Sequence, residues 1–301
     1  MKKIIICYPP LTLAKGCPTL GQNRQFQYFK EPTYIYPIVP AQAATLLKQA
    51  GYDVMWLDCI AQGITDERFL EIIRRQKPDI IAFETKTPVV KQHWKIINDI
   101  KRQFPSGRVP LTVLFGDHVT ALPEESFQNS RVDFILTGGD YDFLLLNLCN
   151  TLNELPITHY QLPITKLEPG IYYRDNDQIK NTGKFQLHWD LNTLPFIDRD
   201  LTCWQLYAYK NGNYKRTPGT YIMSGRDCWW AKCSFCSWPA LYPKFRLRKV
   251  SNVLDEIGLL IDKYQVREIM DDTGTFPVGE WLQEFCQGMI KREFNKKIYL
   301  D

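Results

Sequence analysis

Short apolar runs alternate with amphipathic segments along the first half of the chain. A continuous apolar run bounded by turn residues predicts a buried strand, and apolar positions three or four residues apart predict a helix. The pattern predicts five strands, at 3–8, 53–57, 79–84, 111–115 and 132–136. It predicts helices between and after them, at 40–51, 65–76, 89–104 and 141–152. This alternation is typical of a parallel sheet covered by helices on both faces.

The second half of the chain has a different pattern. Five strands with their helices make a flavodoxin-like, Rossmann-type α/β domain over 1–152, the usual size of one domain. A proline-rich, strand-like linker follows over 153–217, with a β-hairpin whose arms at 170–174 and 184–187 flank a polar turn. Alternation resumes over 218–301, with helices at 251–264 and 279–292 and strands at 266–270 and 297–300; Ser251 is the predicted cap of the first helix.

Composition excludes several classes of protein. The chain has 301 residues, of which 45% are hydrophobic and 23% charged, as expected for a folded globular protein. The net charge of +4 is spread without a basic block, so we expect no nucleic-acid partner. Because no run of 18 apolar residues and no signal peptide is found, we expect a cytoplasmic protein without a membrane partner.

Three of the nine cysteines, Cys228, Cys233 and Cys236, fall within nine residues of one another. Without a secretion signal, this spacing favours reduced thiols that bind metal over a disulfide framework. Thiolates are the preferred ligands of iron-sulfur clusters and of zinc. A structural zinc site normally needs four protein ligands, whereas three leave a position open. Cys286 is the candidate for a fourth ligand, but it lies in a predicted helix.

The spacing C-x4-C-x2-C and its surroundings at 225–233 resemble the radical S-adenosylmethionine (AdoMet) enzymes, in particular their cobalamin-binding branch. The usual spacing of that family, C-x3-C-x2-C, is one residue shorter. The resemblance implies that the three cysteines hold three irons of a [4Fe-4S] cluster and that AdoMet chelates the fourth. It also implies that Phe235, next to the last ligand, packs near the adenine of AdoMet. Structural zinc is the alternative.

The N-terminal part resembles the cobalamin-binding domain that precedes the radical AdoMet core in many such enzymes. The resemblance rests on the long first loop, the run at 116–125 and a glycine pair, and it implies cobalamin contacts from Gly116, Asp117, His118, Val119, Gly138 and Gly139. The alternative is that these glycines only form turns between strand and helix. The Asp-x-His-x-x-Gly motif of other cobalamin proteins is absent, since Ile60 stands at its histidine position. We therefore expect cobalamin without a protein histidine ligand and His118 as a packing residue.

Two carboxylates, Asp271 and Asp272, follow the strand predicted at 266–270. In barrel folds the carboxyl ends of strands carry functional groups. The resemblance implies that these carboxylates bind the amino group of AdoMet; the alternative is a polar turn before the next helix. Residues 218–301 then correspond to the first part of a partial (β/α) barrel. We expect that the chain is a fragment truncated within this core, or that a partner chain completes it.

The resemblance implies an enzyme that takes one electron from a donor such as flavodoxin or ferredoxin, cleaves AdoMet reductively and abstracts hydrogen from its substrate. With cobalamin bound, the expected reaction is methyl transfer to an unactivated carbon. Two alternatives stay open: a cobalamin-linked rearrangement or ring contraction, and a non-catalytic cobalamin- or metal-binding protein or inactive fragment. The sequence does not identify the substrate.

Overall fold

The computed structural model describes residues 2–11, 15–20, 26–104, 109–154, 164–175 and 178–301. Two parts of the long first loop, 12–14 and 21–25, and the centre of the predicted hairpin turn, at 176–177, lie outside the described residues. The N-terminal strands are β1 (Lys3–Tyr8), β2 (Cys17–Thr19), β3 (Gln27–Phe29), β4 (Asp53–Asp58), β5 (Ile80–Glu84), β6 (Leu111–Phe115) and β7 (Phe134–Leu136). The helices that accompany them are α1 (Ile38–Gln49), α2 (Cys59–Gln62), α3 (Asp66–Gln76), α4 (Val90–Gln103), α5 (Asp117–Ala121), α6 (Pro123–Asn129) and α7 (Tyr141–Asn153).

The larger sheet begins with five parallel strands in the order β4-β1-β5-β6-β7. Helices cover both of its faces, so the central strands are buried on both sides. In β1, Ile4 and Ile6 pack into one hydrophobic cluster, whereas Ile5 and Cys7 pack into the cluster on the other face. This double burial is the reason why β1 is a continuous apolar run in the sequence.

The predicted hairpin forms, but its second strand lies at other residues and the hairpin is part of the larger sheet. Its strands are β8 (Ile171–Asp175) and β9 (Gln178–Asn181), and β8 pairs antiparallel with β7 as a continuation of the larger sheet. The linker predicted over 153–217 thus contains two strands of the N-terminal sheet. The second arm was predicted wrongly at 184–187 because β9 is a polar, mostly exposed edge strand without an apolar run.

The C-terminal part repeats a strand-helix alternation on a smaller scale. Its elements are α8 (Gln205–Ala208), β10 (Gly219–Ile222), β11 (Gly225–Arg226), α9 (Trp238–Leu241), β12 (Arg246–Leu247), α10 (Val250–Tyr264), β13 (Glu268–Asp271), α11 (Glu280–Lys291) and β14 (Tyr299–Leu300). Strands β10, β13 and β14 form a parallel three-stranded sheet, while β11 and β12 pair as a short antiparallel ribbon. None of the helices in the described ranges combines the length and apolar character needed to cross a bilayer.

Candidate functional site

The three cysteines lie on the loop that follows β10 and β11. All three are free thiols; Cys228 and Cys236 are half-buried and Cys233 is exposed. The backbone turns sharply around the first cysteine, because Asp227 and Ala231 both adopt positive φ angles, of 85° and 47°. Phe235 is 78% exposed, so its ring is open to contact with a bound group. The loop thus presents thiols and an aromatic ring at the protein surface.

Cys228 has the most developed environment of the three thiols. Its Sγ lies 2.6 Å from Oγ1 of Thr275. Partial burial by itself raises the pKa of the Cys228 thiol, but hydrogen bonds from Thr275 and from the backbone N–H groups of Ala231 and Trp230 outweigh burial and lower it. A lowered pKa favours the thiolate, which is the form that binds metals. Cys228 is therefore prepared to act as a ligand.

The donor set fits an iron-sulfur cluster in its chemistry, since one loop carries three unpaired thiols, one of them with a lowered pKa. Within the described residues, however, no group of three His, Cys, Asp or Glu side chains is arranged so as to hold a metal ion. Cys286 lies on α11 and is exposed. The convergence of Cys228, Cys233 and Cys236 on one centre therefore stays a prediction.

Asp271 lies beside the start of the cysteine loop, because it pairs in register with Ile222 at the end of β10. Its carboxylate accepts hydrogen bonds from the backbone N–H of Ser224 at 3.2 Å, from the Ser224 hydroxyl and from the backbone N–H of Thr273 at 2.8 Å. Burial raises the pKa of Asp271 in spite of these hydrogen bonds. Asp272 is buried next to it. The structure brings the two carboxylates to the cysteine loop, and their contact with AdoMet stays a prediction.

Thr275 and Gly274 are functional candidates that the sequence did not single out. A Cβ atom on Gly274 would lie 3.0 Å from the carbonyl oxygen of Asp227 and 3.2 Å from the Cβ of Cys228. The absence of a side chain at Gly274 lets the turn after β13 pack directly on the first cysteine. The run of small polar residues at 271–275 was visible in the sequence, but only its carboxylates suggested a role.

The loop after β6 is built around a glycine that cannot be replaced. Gly116 has a φ angle of 118°, and a Cβ there would lie 2.4 Å from the carbonyl oxygen of Thr85. Asp117 begins α5 and accepts a hydrogen bond from the backbone N–H of His118, and Val119 is fully buried in the core. This arrangement places Gly116 and Asp117 at the carboxyl edge of the larger sheet.

His118 is buried among protein groups. Its Nδ1 lies 3.1 Å from Oγ1 of Thr87, its Nε2 lies 3.1 Å from Oε2 of Glu125, and its ring meets Trp94 edge to face. These contacts support the interpretation of His118 as a packing residue. Its contact with cobalamin stays a prediction.

The glycine pair after β7 accommodates aromatic rings of this chain. A Cβ on Gly138 would lie 2.5 Å from the ring of Phe185, and one on Gly139 would lie 2.0 Å from the ring of Tyr242. The Tyr242 hydroxyl donates to the carbonyl oxygen of Gly139 at 3.0 Å. The rings of Phe185 and Tyr242 thus occupy the space that a Cβ atom would need at Gly138 and Gly139. Contact of this pair with cobalamin stays a prediction.

Glu84, at the carboxyl end of β5, is a candidate that sequence reasoning missed. It is 1% exposed and accepts a 2.6 Å hydrogen bond from the hydroxyl of Tyr8, at the end of β1. Burial raises the pKa of Glu84 to about 7, against the opposing effects of Lys86 and the Tyr8 hydrogen bond. In sheets of this strand order, ligands bind outside the carboxyl ends where the order reverses, which here lies between β1 and β5.

A buried group of four charges joins the start of α7 to the ribbon of β11 and β12, and sequence reasoning also missed it. Arg226 binds Asp142 through both guanidinium nitrogens, at 3.0 and 2.5 Å, and binds Asp140 at 2.7 Å. Arg246 binds both oxygens of Asp140, at 2.8 and 2.7 Å. Asp140 and Asp142 lie at the start of α7, whereas Arg226 lies two residues before Cys228. The network therefore links the edge of the larger sheet to the cysteine loop.

The chain was compared with known proteins. No family model matches it. Solved structures of similar fold include the cobalamin-dependent AdoMet radical enzyme OxsB with aqua-cobalamin bound, with a TM-score of 0.72 and 17% identity over 100% of this chain and 38% of that chain. They also include the radical AdoMet methyltransferase TsrM from Kitasatospora setae with cobalamin and a [4Fe-4S] cluster bound, with a TM-score of 0.65, 15% identity and coverage of 100% and 54%. The chain has the fold of the cobalamin-dependent radical AdoMet enzymes. This confirms the resemblance that the cysteine motif indicated and the expectation of a mixed α/β fold with a parallel sheet.

The curated relatives of the chain include enzymes. One is the anaerobic magnesium-protoporphyrin IX monomethyl ester cyclase of Cereibacter sphaeroides, 26% identical over 86% of this chain and 41% of that protein. Another is an uncharacterized methyltransferase of Pyrococcus horikoshii, 24% identical over 79% of this chain and 49% of that protein. A third is the cytidylyl-2-hydroxyethylphosphonate methyltransferase of Streptomyces wedmorensis, 23% identical over 81% and 52%. The chain spans about half the length or less of these relatives.

Proposed function

We propose that the protein is a radical AdoMet enzyme that uses cobalamin to transfer a methyl group to an unactivated carbon. The observation that carries this proposal is the loop of three free thiols after β10, whose flanking residues Arg226 and Tyr242 bind Asp140 and Gly139 at the carboxyl edge of the larger sheet. The similarity to methyltransferases in sequence and to cobalamin-dependent enzymes in fold supports it.

In this proposal the two sheets have separate tasks. Residues 1–152, extended by the hairpin β8–β9, form the cobalamin-binding part, and residues 218–301 form the first part of the radical AdoMet barrel. Gly116 and Asp117, at the carboxyl edge of the larger sheet, would contact cobalamin. His118 would not supply a cobalt ligand, because its ring nitrogens lie against Thr87 and Glu125 inside the protein.

The residues around the cysteine loop hold and orient the cluster and AdoMet. When bound, a [4Fe-4S] cluster supplies the electron that cleaves AdoMet, and this chemistry belongs to the cofactors. Cys228, Cys233 and Cys236 are its ligands, with Thr275 holding Cys228 in the thiolate form. Phe235 contacts the adenine. Asp271 would accept a hydrogen bond from the AdoMet amino group at its carboxylate, beside the hydrogen bonds that it accepts from Ser224 and Thr273.

A second reaction is also supported by an observation. The similarity to the anaerobic cyclase favours a radical rearrangement or ring-forming step on the substrate in place of methyl transfer. The same cluster, AdoMet and cobalamin residues serve both reactions. In either case we propose that flavodoxin or ferredoxin supplies the electron.

The two reactions leave different products of AdoMet, which gives a direct test. The protein, reconstituted anaerobically with iron and sulfide, is incubated with hydroxocobalamin, AdoMet and a reductant, and the products are separated by mass spectrometry. We expect 5′-deoxyadenosine from both reactions and S-adenosylhomocysteine from methyl transfer. A Cys228→Ala/Cys236→Ala variant is the control and forms neither product. Cobalamin binding by the parent protein without either product would contradict the enzyme proposal and favour a non-catalytic binding protein.

A further inference from the structure

Four charged side chains meet in the protein interior between the start of α7 and the ribbon of β11 and β12, where charges are costly to bury. Asp140 and Asp142 are 2% and 0% exposed, Arg226 is 3% exposed and Arg246 is 11% exposed. The charges cancel, and every carboxylate oxygen accepts at least one hydrogen bond from a guanidinium group. We call these four residues the interface network.

The two halves of the interface network come from rigid elements. Asp140 and Asp142 lie at the N-terminus of α7, where the helix dipole favours negative charge. Arg226 and Arg246 are a register pair on the ribbon of β11 and β12, so their guanidinium groups project from adjacent strands. The forked guanidinium group of Arg226 binds Asp142 through both of its oxygens, which fixes orientation as well as distance.

The interface network is adjacent in sequence to the two loops of the proposed site. Gly138 and Gly139 directly precede Asp140, and Asp227 and Cys228 directly follow Arg226. A second contact reinforces the link, because Tyr242 donates to the carbonyl oxygen of Gly139 from the C-terminal side. If one loop moved alone, the buried charges of the interface network would lose their partners. A displacement of one loop is therefore transmitted to the other.

We propose that the interface network is a positioning device that fixes the cysteine loop relative to the carboxyl edge of the larger sheet, and that Arg226 is its central positioning residue. The purpose of this device, which is to hold the cluster at a set distance from cobalamin, rests on the proposed function. A buried ion pair contributes little net stability compared with apolar packing, but it selects one geometry. Arg226 acts through the loop and does not touch the substrate.

The first test uses the full chain without cofactors, so that it does not depend on the proposed function. Hydrogen exchange of the peptide covering 224–236 is measured by mass spectrometry in the parent protein, in Arg226→Lys and in Asp142→Asn. Lysine keeps the charge but lacks the planar fork with which Arg226 binds Asp142 through two nitrogens. We expect exchange of this peptide to be roughly tenfold faster in both variants, since each loses hydrogen bonds to a charged group. If Asp142→Asn does not fold, the milder variant Arg246→Lys takes its place in this measurement.

Arg199→Lys is the matched control. Arg199, in the segment that precedes α8, is also a buried arginine, and it binds the hydroxyl of Thr220, the carbonyl oxygen of Tyr221 and, at 3.5 Å, the carboxylate of Glu256. We expect Arg199→Lys to lower the melting temperature and to leave exchange at 224–236 unchanged. If Arg226→Lys behaves in the same way, the interface network is merely structural and the inference is wrong.

The second test examines the consequence for the cluster. After reconstitution, Arg226→Lys is expected to bind as much iron as the parent protein but to give an altered EPR signal, whereas Arg199→Lys gives the parent signal. Identical signals in all three proteins would overturn the positioning role. If the parent chain itself assembles no cluster, the proposed function fails, and the hydrogen-exchange result still decides whether the interface network positions the loop.

Discussion

The buried carboxyl of Glu84 makes the stability of the protein depend on pH in a way that a single substitution removes. Burial raises the pKa of Glu84 from 4.5 to about 7. In the unfolded chain the group has its ordinary value, so between these two values the folded state holds a proton that the unfolded state has lost. Stability therefore falls as the pH rises from about 4.5 to about 7 and is constant above that range.

The magnitude follows from the size of the shift. One pKa unit corresponds to about 1.4 kcal/mol, so the raised pKa of Glu84 lowers the stability of the folded state by about 3 kcal/mol at pH 8. Glutamine at this position is neutral at every pH, has nearly the same shape and still accepts the hydrogen bond from Tyr8. We expect Glu84→Gln to raise the free energy of unfolding by up to about 3 kcal/mol at pH 8 and by less than about 1 kcal/mol at pH 5.

The assay is urea unfolding of the reduced protein, followed by tryptophan fluorescence between pH 5 and pH 8.5. Glu124→Gln, a substitution of an exposed glutamate, is the control and should change stability by less than about 0.5 kcal/mol at each pH. A Glu84→Gln effect that is the same at pH 5 and pH 8, or a loss of stability at pH 8, would refute the assignment of a raised pKa to Glu84.

Two further predictions concern the cysteine loop and the glycine pair. Thr275→Val should slow alkylation of Cys228 by iodoacetamide at pH 7.5 roughly two- to tenfold, because one hydrogen bond of about 0.5–1.5 kcal/mol to the thiolate is lost. Peptide mapping measures the rate, and alkylation of the exposed Cys286 is the internal control. An unchanged rate would contradict the role of Thr275. Gly139→Ala should destabilise the protein by about 1–3 kcal/mol, because the added Cβ meets the ring of Tyr242. In a Gly139→Ala/Tyr242→Ala double variant the two losses, measured by urea unfolding, should be less than additive, and full additivity would exclude that clash.

The strands of the larger sheet could be predicted because each is buried on both faces. A buried parallel strand such as β1 is an uninterrupted apolar run, and its boundaries follow directly from the polar residues at its ends. The edge strand β9 could not be found in this way, since solvent permits Gln178 and Lys180 there. The predicted cap of α10 was also wrong: the helix begins at Val250, so Ser251 lies inside its first turn.

The candidate site was predictable where its residues are close in sequence. The cysteine motif and the carboxylates after β13 are local patterns, and parallel pairing of β10 with β13 brings them together. The interface network was not predictable, because Arg226 and Asp140 are 86 positions apart and no periodicity connects them. Glu84 was missed for another reason, since an acidic residue after an apolar run is indistinguishable in sequence from an ordinary strand end.

The central claim is that Cys228, Cys233 and Cys236 hold a [4Fe-4S] cluster to which AdoMet binds. The most direct measurement is anaerobic reconstitution with iron and sulfide, followed by metal analysis and EPR of the reduced protein with and without AdoMet. Cys233→Ala is the test variant, and Cys286→Ala is the matched control because Cys286 is also exposed. We expect about four irons per chain, with an EPR signal that AdoMet changes, in the parent and in Cys286→Ala but not in Cys233→Ala. Stoichiometric zinc without an AdoMet-sensitive signal, or a signal that Cys233→Ala retains, would contradict the account.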